Sequence, residues 1–107
     1  MALEELVRIY EVIESYETGI WHDYPVRGEY KAAKTDKTSR GFYAHRKLAL
    51  SAIEALKEQR MQENPALVYS PFHLALVPPD ASYFIKFGIE EQLMDQEAAS
   101  EIGIIDG

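Results

Sequence analysis

The chain contains no cysteine. That excludes disulfides, thiol catalysis and thiolate metal sites, and it fits a reducing compartment such as the cytoplasm. Histidine is scarce too. None of His22, His45 and His73 has a second ligand-type residue three or four positions away, so the sequence carries no zinc-helix spacing. No apolar run approaches the length of a membrane span, and Met-Ala-Leu-Glu-Glu at the start lacks the basic-then-apolar layout of a secretory signal. There is no glycine-rich phosphate loop, no Gly-x-Ser-x-Gly and no His-Glu-x-x-His. Glu90 and Glu91 diverge if they lie on a helix, so they form no acid–base dyad. The expectation is a protein without catalytic residues, metal or cofactor.

Positive charge is also in short supply: 11 Lys and Arg stand against 18 Asp and Glu, for a net charge of −7. A pI near 4.9 argues against nonspecific nucleic-acid binding by the molecule as a whole. What basic charge there is lies in one place. Seven of the eleven cations (Arg27, Lys31, Lys34, Lys37, Arg40, Arg46 and Lys47) fall in the segment 27–47, with only Glu29 and Asp36 among them.

A 47% apolar content with twelve aromatics in 107 residues predicts one folded domain over 1–107, with a loose tail at 103–107. The longest periodic stretch runs from Ser39, a good N-cap, to Asn64-Pro65, a good stop. On that helix Ala49, Ala52, Ile53 and Leu56 form a buried stripe, with His45 on the same side. Arg40, Tyr43, Lys47, Glu54 and Glu58 lie opposite. A first helix is expected over 2–17 from the spacing of Leu3, Leu6, Tyr10 and Ile13, with Thr18-Gly19 as its C-cap. Its apolar residues cover more than half its circumference, which predicts a homodimer. Residues 24–31 suggest an edge strand, because proline is tolerated there. The polar stretch 34–39 reads as an exposed loop. Runs 66–77 and 82–89, joined by Pro78-Pro79-Asp80-Ala81, read as an antiparallel hairpin, and 90–101 as a final helix. The fold class is therefore α+β: two or three helices packed on a small antiparallel sheet.

In size, acidity and lack of cysteine the chain resembles the small inhibitor, immunity and adaptor proteins that bacteria and their phages make. That likeness is of composition, not of motif, and assigns no residue a role. It implies a small acidic cytoplasmic module that binds another protein through acidic helix faces, where charge sets partner choice and on-rate. The alternative function is binding of a phosphorylated ligand or a nucleic-acid backbone through the segment 27–47. Cations there sit at the predicted N-terminus of the long helix, against the preference of its dipole. The candidate site is Lys34, Lys37, Arg40, Tyr43, Arg46 and Lys47.

Overall fold

A computed structural model describes residues 6–19, 21–23, 29–31 and 34–105. The order of elements is β1 (Leu6–Thr18), β2 (Trp21–Asp23), β3 (Glu29–Lys31), β4 (Lys34–Tyr43), α1 (Arg46–Glu63), β5 (Val68–Ser70), β6 (Ala75–Val77), β7 (Tyr83–Asp95) and α2 (Gln96–Glu101). The class is α+β, with a five-stranded antiparallel sheet in the order β4-β1-β7-β6-β5 and two helices.

The expected first helix is a strand. β1 is rich in β-branched and aromatic residues (Val7, Ile9, Tyr10, Val12, Ile13, Tyr16), which suit a pleated surface better than a helix. It pairs with β7 over its whole length, from Leu6 opposite Asp95 to Thr18 opposite Tyr83, and with β4 on the other side. A strand in that position needs apolar residues on both faces, so Ile9 on one side and Val12 on the other have no exposed surface. The two-sided apolar run that suggested a dimer seam on a helix is thus accounted for inside one chain.

β4 corrects a second expectation, because residues 34–39 are an edge strand and not a loop. The strand also takes the first residues assigned to the long helix. Between Glu11 opposite Phe42 and Ile13 opposite Ser39, two residues of β4 face the single Val12. Arg40 and Gly41 form this bulge, and Gly41 takes a φ of +121° that suits glycine. A Cβ there would also meet the Tyr43 ring at 3.4 Å. The helix consequently starts at Arg46. His45 occupies the N-cap position without a side-chain cap, and its carbonyl accepts from Leu48 and Ala49.

β2 and β3 form a separate two-stranded pair. Their register, Trp21 opposite Lys31 and Asp23 opposite Glu29, continues that of Thr18 opposite Lys34 without a shift. The expected edge strand at 24–31 is met only at its end, by β3, and residues 24–28 lie outside the described residues.

The expected strand at 66–77 is two short strands, β5 and β6, separated by a turn containing Pro71. The turn at 78–81 is where the sequence places it. There Ala81 donates to the Pro78 carbonyl at 3.0 Å and Asp80 accepts from both the backbone and the hydroxyl of Ser82. β7 runs on to Asp95, so the last helix is only α2, with the Asp95 carboxylate capping Ala98 N–H at 2.7 Å. Tyr43 and Ala44 pair with Ile105, which anchors the first part of the expected loose tail.

α1 lies on one face of the sheet. Ala49 and Ile53 are buried against Val12, with Tyr10, Tyr43, Ala52, Leu56, Phe87 and Ile89 around them. Farther along, Leu67, Leu76 and Ile85 form a second cluster that Met61 and Tyr69 join. On the opposite face α2 packs near Val7, and the β5–β6 turn lies against Phe84. No helix among the described residues is long and apolar enough to cross a membrane. Ile53→Ala should cost about 2–5 kcal/mol in urea melts, whereas Leu50→Ala, at 47% exposure, should cost under about 1 kcal/mol. Similar losses at both positions would contradict this packing.

Candidate functional site

Alternation along β4 decides where its cations go. Lys34, Asp36, Thr38 and Arg40 fall on the face that carries α1, and Lys37 falls on the other. The Lys34 ammonium lies 3.6 Å from Asp36. Arg40 donates from Nε to Glu14 Oε1 at 2.7 Å. Tyr43 turns into the core beneath α1. Arg46, the first residue of α1, reaches Glu91 of β7 at 3.5 Å. Lys47 is exposed on the helix and, like Lys37, has no carboxylate partner among the described residues. Arg27 lies outside those residues. The basic segment is thus spread over two faces of a strand and one end of a helix, with three of its six site residues already paired to acids.

The strongest electrostatic feature is one the sequence does not announce. Glu14, in the middle of β1, is only 7% exposed, yet it is a carboxylate. Arg60 from α1 grips it with Nε to Oε2 at 2.8 Å and Nη2 to Oε1 at 3.0 Å, while Arg40 takes Oε1 from β4. Arg60 also donates from Nη1 to Glu63 at 3.1 Å. Burial alone would raise the Glu14 pKa. The hydrogen bonds from Arg60 and Arg40, with their charges, outweigh burial and hold it below its ordinary value of 4.5. A cleft of about 280 Å³ opens beside this cluster, lined also by Tyr16, Asp36, Thr38 and Ile85. Nothing at i, i+3 or i+4 joins Glu14 to Arg60, forty-six positions away, which is why the cluster is invisible in the sequence. It also removes one acidic face from consideration: Glu11 and Glu14 point to opposite sides of a strand. Glu11 accepts from Gln92 at 2.7 Å. Glu54 and Glu58 do remain exposed on α1.

The second feature is the turn between β5 and β6. It presents Phe72 at 77% exposure and Leu74 at 68%, beside Val68 at 66% on β5. Ser70 fixes the turn: its hydroxyl accepts from His73 N–H at 3.2 Å and lies 3.0 Å from His73 Nδ1. The imidazole then tilts onto the fully buried Phe84 at 4.6 Å and meets the Phe72 ring edge-on at 5.0 Å. Leu74 holds a φ of +53°, in the left-handed region where a leucine costs roughly 1–2 kcal/mol. The available signal was Pro71, which argues against an uninterrupted strand.

Among the described residues no group of three or more His, Asp or Glu is placed to hold a metal ion. Comparison with protein-family models, with curated proteins and with solved structures finds no match.

The Glu14 cluster makes a pH prediction. A carboxylate whose folded pKa is depressed stabilises the fold fully above its unfolded value, and that contribution is lost as pH falls through the folded value. Glu14→Gln should cost about 1.5–3 kcal/mol at pH 7. The gap to the wild type should shrink below pH 4.5. Denaturant melts showing the same gap at pH 7 and pH 3 would contradict the assignment.

Proposed function

We propose that this chain is a small acidic protein-binding module, acting by contact and not by chemistry, with its contact centred on the β5–β6 turn. The observation that supports this is the pair Phe72 and Leu74, two large apolar side chains left in solvent on a turn pinned by the Ser70–His73 bonds. Leaving them exposed forgoes burial worth roughly 1.5–3 kcal/mol each. The Ser70–His73 bonds and the left-handed Leu74 mean that little further ordering is needed on association, which is the costly part of forming an interface. Aromatic anchors in such positions carry a large share of interface energy.

The net charge of −7 favours a basic partner surface and speeds encounter with it. Glu54 and Glu58 on the outer side of α1 are available to that field. The absence of cysteine fits the cytoplasm as the place of action. Among the described residues Lys34, Lys37, Arg40, Arg46 and Lys47 are dispersed, which favours the apolar turn over the phosphate-binding alternative.

Affinity capture from the native host, read by quantitative mass spectrometry with nucleic acid also recovered, tests the proposal. A protein retained by the wild type should be lost at least tenfold with Phe72→Ser and Leu74→Ser, and retained with Lys37→Ala and Lys47→Ala. The reverse pattern, or recovery of nucleic acid sensitive to the two lysines, would overturn it. Because Phe72 is 77% exposed, its replacement should change stability by no more than about 0.5 kcal/mol.

A further inference from the structure

Among the described residues the edge of the sheet formed by β4 is open over 34–40. These residues are all exposed, and their strand pairing is with β1 alone. In an antiparallel ladder half of an edge strand's N–H and C=O groups point outward, so this stretch offers a row of unpaired donors and acceptors. The open stretch ends at Phe42, whose carbonyl already accepts from Ile105 N–H at 2.8 Å.

We propose that the occupant of this edge is β4 of a second copy, joined by a two-fold axis perpendicular to the sheet. Such an axis keeps the same face up in both chains, so each residue lies opposite one of the same parity. Centring the pair on Asp36 brings two carboxylates together, and centring it on Lys37 brings two ammoniums together; like charges directly opposite are unfavourable. Centring it on Thr38 places Thr38 opposite Thr38 of the other copy, Asp36 opposite Arg40 twice, and Lys37 opposite Ser39 twice. Threonine pairs and opposite charges are the cross-strand combinations that stabilise a sheet. This register also keeps the central pairing, residues 36–40 from each chain, clear of the segment that Ile105 occupies.

The side chains are prepared for it. Arg40 gives only its Nε to Glu14, and its two terminal amino groups make no hydrogen bond to a described residue. Glu14 therefore holds the guanidinium by its Nε and leaves the two terminal amino groups for a further acceptor. Asp36 is committed only to Lys34, in a pair whose side chains are 60% and 71% exposed; such pairs are worth little and exchange readily. The product is a continuous ten-stranded sheet with α1 of both chains on one face. It leaves the two β5–β6 turns at the far edges, so a dimer of this kind is bivalent for whatever those turns bind. The dimer itself does not rest on that binding.

The lack of cysteine makes the register directly testable. Directly opposite residues in an antiparallel pair have Cα atoms about 4.5–5.5 Å apart, within disulfide reach. Thr38→Cys should form a disulfide-linked dimer under mild oxidation at least tenfold faster than Lys34→Cys, whose copies lie about eight residues apart along the strand. Sedimentation of the wild type at micromolar concentration should give twice 12.2 kDa. Asp36→Arg, at an exposed position that leaves the fold intact, should give the single chain. A wild type that sediments as 12.2 kDa, or equal cross-linking rates at positions 34 and 38, would overturn the proposal.

Discussion

Glu14 sits in an interior strand of the sheet with almost no exposed surface, and the placement of the two neighbouring elements depends on it. A carboxylate in that position is tolerable only if its charge is met, since an unpaired buried charge costs several kcal/mol. Arg60 meets it from α1 and Arg40 meets it from β4. One side chain thereby fixes the helix over the sheet and the edge strand beside it. The bulge at Arg40 and Gly41 belongs to the same arrangement: the unusual backbone at Gly41 lets Arg40 face Glu14 while Tyr43, three residues on, still turns into the core. A buried ion pair is not by itself strong evidence of stability. Here its effect is geometric, setting where two elements lie relative to β1.

From that frame the surface follows. β1 and β7 pair over thirteen residues and give the molecule its length, while β4 and β5 become the two edges. They are treated differently. β5 is only three residues long, and the turn beside it carries the exposed apolar side chains. β4 is long, polar and cationic, the composition by which edge strands resist indiscriminate pairing. The clustering of cations in the sequence is thus a consequence of one edge strand and one helix start being adjacent in the chain. Alternation along the strand then parts them in space.

What could be read from the residues depended on whether the signal was local. The middle of α1 was legible because Ala49, Ile53 and Leu56 repeat on one side of a helix, and the turn at 78–81 because proline and aspartate mark it. The α+β class was legible for the same reason. β1 was not legible as a strand from spacing, because an apolar residue on each face of a strand produces the same three-and-four spacing as a helix. Its Val, Ile and Tyr content was the better guide. Gly41 inside the predicted helix is a second sign against it. Of the candidate site, the exposure of Lys34, Lys37, Arg40 and Lys47 was legible, but their dispersal was not. Partners such as Glu14 and Glu91 lie far away in the chain. The Phe72 turn lies inside a run, 66–77, whose apolar pattern predicts one strand.

The account stands or falls on β1 being a two-sided interior strand tied to both neighbours. Residue-resolved amide hydrogen exchange measures this most directly, because interior strands open only with global unfolding while edges and loops open locally. The amides of Ile13, Glu14, Ser15, Tyr16 and Glu17, which face β4 and β7 in turn, should all be among the last to exchange, with equal free energies of opening and no alternation along the strand. If every second one of these amides exchanges quickly, or if the set opens well before Ala49 and Ile53 in α1, β1 is not held on both sides and the frame described above is wrong.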